Sequence, residues 1–358
     1  MREEFEKRVL SQEKSKSALC REYGISRPTG DKWIARYMRG ESMDNRSRRP
    51  FHTANRVEEA VEQRIVEYRK RRPAIGAKKI HRILENAGYE DMPSVKTVNN
   101  ILKRNGLITA QASQAARACQ RFEKTSPNEM WQADYKGHFA LGNGERCHPL
   151  NILDDYSRYN LCCEAQRGET LKELWPVMER LFGEYGLPMT FLCDNGNPWG
   201  TVQSTGFTRF EVRMMEVGIL VLHGRIRHPQ TQGKDESFNR SMTKELLRYA
   251  TFADMEDAQR QMSEYRRFYN HERPHHALDL NTPDSRYTRS SRELPKRVMP
   301  WEYPEGCEVR RVKETGFFHW SGQGYFLSEA FGGKEIAIRP SHIPEGLSQI
   351  LCKRSNRG

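Results

Sequence analysis

No two cysteines in this chain have C-x-x-C spacing, although eight are present, and Cys162 and Cys163 sit side by side. Neither a zinc ribbon nor a disulfide framework fits that pattern, so a reduced, cytoplasmic setting is expected. No apolar run is long enough to cross a bilayer, and the opening stretch, Met1-Arg-Glu-Glu-Phe-Glu-Lys7, is too charged for a secretory signal. An acidic surplus is missing too: 59 Lys and Arg stand against 47 Asp and Glu.

The basic excess is unevenly spread. Residues 1–128 hold 28 basic and 16 acidic side chains, whereas residues 129–358 hold 31 of each. A concentrated basic surplus attracts a polyanion through counterion release, and nucleic acid is the usual one. A chain of 358 residues also exceeds one typical core, so a multidomain protein is expected.

Residues 15–38 carry two helical stripes around Gly24-Ile25, with Ser26 placed to cap the second helix and Trp33, Ile34, Tyr37 and Met38 at helical spacing. That is a helix-turn-helix pattern, with Arg27, Thr29, Lys32 and Arg36 on the side that would face DNA. Gly30 is a poor helix former in that position. A basic stretch containing Arg46, Arg48 and Arg49 follows and reads as a linker laid along phosphates.

Apolar spacing then predicts helices over residues 57–68, 77–87 and 95–104, the last with Val95, Val98, Ile101 and Leu102 inward. Lys96, Asn99, Asn100, Lys103 and Arg104 would point outward as a second DNA-reading surface. The expected organisation is helix-turn-helix domain 1–44, linker 45–56, second helical domain 57–108, linker 109–128, an α/β domain 129–290 and a small all-β, barrel-like domain 291–358.

Within the α/β part, residues 130–141, 148–153 and 159–164 read as strands, followed by a helix over 171–185, a buried strand over 189–193, a helix over 209–217, a strand over 219–223 and a helix over 233–249. Three acids fall where these elements could converge: Asp134 in the first strand, Asp194 at the end of a later one and Glu236 in the last helix. Oxygen ligands drawn from rigid elements suit Mg²⁺, or Mn²⁺, and a pair of such ions suits phosphoryl transfer. Asp235 competes with Glu236, but two residues of helix turn Glu236 about 200° away from the apolar Phe238. Asp154 and Asp155, beside Ser157, read as turn-capping acids. Arg225, Arg227, His228, Lys234 and Arg240 flank Glu236 as a cradle for a scissile phosphate, while His138 and the 265–278 segment read as structural.

Five ordered segments carry a resemblance: Asp134-Tyr-Lys-Gly-His-Phe139, Pro149-Leu-Asn-Ile-Leu-Asp-Asp-Tyr-Ser-Arg158, Cys193-Asp-Asn-Gly196, His228-Pro-Gln-Thr-Gln-Gly-Lys-Asp-Glu236 and Tyr269-Asn-His-Glu-Arg-Pro-His-His-Ala-Leu278. At these residues the chain resembles the insertion-sequence transposases of the acidic-triad type, whose core is similar to that of retroviral integrases. The resemblance implies a ribonuclease H-like core and a metal-binding catalytic triad on Asp134, Asp194 and Glu236. It further implies Mg²⁺-dependent cleavage and strand transfer at the terminal inverted repeats of a mobile element, at least a dimer, and a place at the bacterial nucleoid. The Asp194–Glu236 interval is longer than in compact members, with residues 198–206 as the extra loop. Retroviral integrases carry an N-terminal His/Cys zinc module, and no such spacing occurs here. An inactive DNA-binding regulator and a hydrolysis-only nuclease are the alternative readings.

Overall fold

The computed structural model describes residues 2–42, 44, 57–108, 123–200, 206–224, 233–298, 301–303, 305–340 and 348–351. The chain divides into two compact units, Met1–Val57 and Glu58–Gly358.

The first unit is a trihelical cluster, α1 (Arg2–Leu10), α2 (Lys16–Glu22) and α3 (Arg27–Met38). Ser15 and Ser26 cap α2 and α3 by accepting from the backbone N–H of Ala18 and Thr29. The first helix was not expected, because its opening residues are mostly charged. It forms around Phe5, which is fully buried against Leu19 and Cys20 and lies edge-on to Tyr23 and Trp33. Gly30 does not weaken α3. It is buried where a Cβ would stand 2.9 Å from Cys20 Sγ and 3.1 Å from Phe5 Cζ, so its bareness is what lets the helices approach. Met38, expected inward, is 69% exposed.

The second unit begins with α4 (Glu59–Arg71), α5 (Ala77–Asn86) and α6 (Val95–Arg104), packed through Val61, Ile65, Ile80, Leu84, Val98, Ile101 and Leu102. Val95 sits on the outside at 38% exposure, since it occupies the first turn beside the cap residue Ser94. Arg104 closes the group by donating to Glu62 on α4.

A mixed sheet follows, with strands in the order β4 (Asn160–Gln166), β3 (Arg146–Asp154), β1 (Met130–Tyr135), β5 (Thr190–Cys193) and β6 (Leu220–His223), and with β2 (Phe139–Ala140) on the start of β3. The predicted single strand over 130–141 breaks into β1 and β2 around Gly137, whose φ is +83°. β1 runs antiparallel to β3 and parallel to β5. Strand alternation sends Trp131 and Ala133 into a core shared with α7 (Leu171–Tyr185) and α8 (Arg209–Glu216), so Gln132 and Asp134 face the opposite side. On that side lie α9 (Gly233–Met242), a π turn over Thr243–Leu247 and α10 (Met255–Arg267).

Trp199, inside the segment expected to be an extra loop, is 1% exposed and packs on Phe191 and Phe210. The start of that segment therefore belongs to the core. The C-terminal strands β7 (Glu308–Arg311), β8 (Phe317–Trp320), β9 (Gln323–Phe326), β10 (Glu335–Pro340) and β11 (Ser348–Leu351) do not close into the expected barrel. Among the described residues they form a three-stranded sheet and a separate hairpin. Val312, Phe331, Ile336 and Ile338 instead bury themselves against Val212 of α8.

The packing of α3 makes a counterintuitive mutation informative. Gly30→Ala adds helix propensity of about 0.5–1 kcal/mol, but overpacking costs about 1–3 kcal/mol. Backbone amides of α1–α3 should therefore exchange with deuterium several-fold faster in the variant. Slower exchange would show that propensity outweighs the contact.

Candidate active site

The register of β1 and β5 brings the first two acids together. Gln132 pairs with Leu192, so Asp134 and Asp194, each two residues further on, lie at the same level of neighbouring strands. Asp134 is partly buried and Asp194 is exposed at the strand end. Asn239 on α9 donates to Asp134 Oδ2 at 2.7 Å and accepts from Asn151 Nδ2 at 2.9 Å. Asn151, the cross-strand partner of Asp134, thus orients Asn239, and among the described residues Asn239 alone bonds the carboxylate. Asp194 turns back to accept from the Gly196 N–H at 3.0 Å, and its carbonyl oxygen lies 2.8 Å from His223 Nδ1. His223 in turn meets Glu211, the residue that completes the capping box of α8.

Asp134 is lifted from its ordinary value to about 6, first by burial and then by the charge of Asp194, with the Asn239 hydrogen bond and Lys136 pulling the other way. Among the described residues no cationic side chain forms an ion pair with it. A carboxylate in this position costs free energy unless a cation offsets it, so the oxygen donors here fit a divalent ion.

Glu236 is exposed on α9 and lines, with Asp134, a cleft of about 500 Å³. Asp235 points inward instead. It is 1% exposed, neither carboxylate oxygen has a hydrogen-bond partner among the described residues, and burial followed by the charges of Asp134 and Asp155 raises its pKa well above the usual range. Among the described residues no three carboxylate, imidazole or thiol groups stand close enough to share an ion. Asp134 and Glu236 line one cleft, and Asp194 stands level with Asp134 on the neighbouring strand.

Lys136, Arg240, Lys244 and Arg248 complete the cleft. Arg240 lies where a phosphate cradle was expected. Lys136, Lys244 and Arg248 were missed, although Glu236, Arg240, Lys244 and Arg248 recur every four residues and that spacing marks one helix face. Lys234 does not belong to the cradle. It is paired with Asp155, to whose carbonyl oxygen it also donates at 3.0 Å. Asp154 and Asp155 are structural: Asp154 takes the N–H groups of Asn128 and Ser157, and Asp155 takes Gln132 Nε2. His138, also read as structural, contacts Arg146 at 2.9 Å on the surface.

In the helical regions Arg27, Lys32, Lys96, Asn100, Lys103 and Arg104 are exposed and Asn99 is partly so. Thr29 is occupied at the helix start, where its hydroxyl meets Ser26. Arg36 folds back on Glu41 and on the Asp44 carbonyl, so neither projects freely as expected. Arg46, Arg48, Arg49, Arg225, Arg227 and His228 lie outside the described residues.

Family models match at three places. An integrase core domain matches residues 124–229, a second integrase core domain model matches 217–283, and a homeodomain-like domain matches 29–102. The chain is 26% identical over 226 residues to the transposase InsD of insertion element IS2 from Escherichia coli, covering 59% of this chain and 72% of that one. Its residues 124–283 carry an integrase core. The chain is also 23% identical over 235 residues to an uncharacterized 31.7 kDa protein of insertion element IS407 from Burkholderia multivorans, covering 63% of this chain and 79% of that one. A chain of the simian T-cell lymphotropic virus intasome matches at 17% identity and TM-score 0.40, covering 81% of this chain and 98% of that chain. The HTLV-2 integrase catalytic core domain, solved with magnesium, matches at 15% identity and TM-score 0.33, covering 45% and 95%. The integrase core makes this an enzyme of the polynucleotidyl transferase class. No described helix is long and apolar enough to cross a membrane.

The raised Asp134 value fixes a pH dependence. An acid whose folded pKa exceeds its unfolded one costs the fold nothing below pH ~4, and the full penalty applies above about 6. In chelator, Asp134→Asn should therefore stabilise the protein by about 1–2 kcal/mol at pH 8, after allowing for solvent screening, and by nothing at pH 3.5–4. Equal melting curves of the two proteins at pH 8 would contradict the assignment.

Proposed function

We propose that this transposase binds the terminal inverted repeats of its element and uses Asp134, Asp194 and Glu236, holding two Mg²⁺ or Mn²⁺ ions, to cleave a strand and join its 3′ end to target DNA. The observation that carries this reading is the pairing of Asp134 with Asp194 at one level of adjacent strands, across a cleft from Glu236. Bound there, the ions would neutralise charge on the scissile phosphate and make the attacking oxygen more nucleophilic.

The chain's own residues do the rest. Asn239, itself oriented by Asn151, holds one oxygen of the Asp134 carboxylate and leaves the other for the cation. Arg240, Lys244 and Arg248 along one helix face, with Lys136 opposite, bind successive backbone phosphates and set the strand's path past the acids. Asp235, buried with its pKa raised, does not line the cleft and leaves the cation to Glu236.

Residues 1–44 and 57–108 act as two DNA-binding domains joined by the basic linker 45–56. Linker 109–128 leads to the core at 129–290, and 291–358 packs on the core's α8 side. Arg27, Lys32, Lys96, Asn99, Asn100 and Lys103 supply contacts to duplex DNA. Joining two ends together requires at least a dimer, acting at the nucleoid.

Strand joining on element-end DNA with Mg²⁺ tests the assignment. Asp134→Asn, Asp194→Asn and Glu236→Gln should each lower joining by more than about a hundredfold while duplex binding persists, and Asp235→Asn should retain joining. Loss with Asp235→Asn but not Glu236→Gln would reverse the choice of third acid. Binding without joining by the unaltered protein would indicate a regulator, and nicked products lacking a new strand junction a nuclease.

A further inference from the structure

A second cavity, of about 540 Å³, opens where α5 and α6 meet the turn at His276. Lys78, Lys79 and Lys96 line it together with Asn99, His276 and the backbone of Gly76, and no carboxylate is among its walls. Among the described residues none of the three lysines has an ion-pair partner. The acid whose charge reaches Lys79 is Glu245, and Glu245 is engaged by both ends of the Arg273 guanidinium at 2.8 Å, the two side chains being only 8% exposed. Three lysines lining one cavity without a carboxylate favour an anion there. Burial, followed by the charge of Arg273, pushes Lys79 down to about 8, and burial followed by the charges of Lys79 and Lys78 lowers His276.

The geometry points to a phosphate-binding site built jointly by the second helical domain and the integrase core, its ligand being a backbone phosphodiester of the DNA on which the proposed function rests. A compact anion fits better than an extended acidic peptide, because the three lysines line one cavity of about 540 Å³. Lysine point charges and the Asn99 amide suit a phosphate's oxygens. At the same wall α5 starts on Gly76, which has an extended backbone and no side chain capping the first-turn N–H groups. They add donors to a site the lysines already define.

The position matters for the reaction. Arg72 of the helical group stacks over Phe268 of the core at 4.0 Å, so the cavity's two walls are fastened together. His276 lies three residues beyond Arg273, and Arg273 holds Glu245 in the π turn that continues the helix bearing Glu236. A phosphate gripped here fixes the bound duplex relative to the catalytic helix.

Full-length Lys78→Gln, Lys79→Gln and the double variant test the site, with a duplex of arbitrary sequence and inorganic pyrophosphate as separate probes. We expect the double variant to bind the duplex on the order of tenfold more weakly and to flatten the plot of log affinity against log salt by about 1. Pyrophosphate should raise the melting temperature of the unaltered protein more than chloride at equal ionic strength, and this gain should vanish in the double variant. Exposed Lys78→Gln alone should move both readouts the same way, which guards against misfolding at Lys79. Unaltered duplex affinity, salt slope and pyrophosphate response in the double variant would overturn the site. A lysine-dependent pyrophosphate response in a protein that binds no duplex would leave the phosphate site standing but remove DNA as its ligand, and with it the DNA-binding reading.

Discussion

Electrostatic repulsion between two carboxylates on neighbouring strands organises this molecule. The parallel pairing of β1 with β5 sets Asp134 and Asp194 at one level, and burial of Asp134 against α9 makes the arrangement unfavourable without a counter-charge. Among the described residues no lysine or arginine forms an ion pair with Asp134, and the charge of Lys136 offsets the repulsion only in part. The fold places basic side chains on the outer wall of the cleft and keeps the amide of Asn239, itself held by Asn151, in contact with the acid. Amides orient a carboxylate without neutralising it, so the negative charge stays available to a cation.

Charges elsewhere are sorted by the same rule. Asp154 and Asp155 are saturated with hydrogen bonds, and Lys234 is committed to Asp155. Arg273 and Glu245 satisfy each other in the interior. Breaking such a buried pair leaves an uncompensated charge that costs several kcal/mol, so this network is a rigid frame. Among the described residues Asp134 in the cleft and the lysines of the second cavity have no ion-pair partner in this frame. A polyanion with its divalent counterions complements both.

Much of this was legible in the sequence because apolar spacing and capping residues are local. The stripe Leu174, Met178, Leu181 and Phe182 gives α7 its bounds of Leu171–Tyr185, and Ser94 starts α6 where the reading put it. The position of Asp134 and Asp194 at strand and strand end could also be read, since each follows a run that buries itself. Non-local features could not. Helix α1 depends on Phe5 finding a socket on α2 and α3, and Gly30 is explained only by that contact. Strand spacing near the C-terminus did not reveal that β8 and β9 pair with each other apart from β7, β10 and β11, so the expected barrel did not follow. The inward turn of Asp235 and the commitment of Lys234 to Asp155 depend on how α9 lies over the sheet. The row Glu236, Arg240, Lys244 and Arg248 was within reach of spacing alone.

The central claim is that residues on β1, β5 and α9 close around the same cations. Titrating the isotopically labelled full-length protein with Mn²⁺ and following paramagnetic broadening of backbone amides tests it directly. The account predicts that amides at 134, 194 and 236 broaden together, at one metal concentration, ahead of the surface acids. Broadening confined to one of the three, or no selective broadening at any of them, would contradict it.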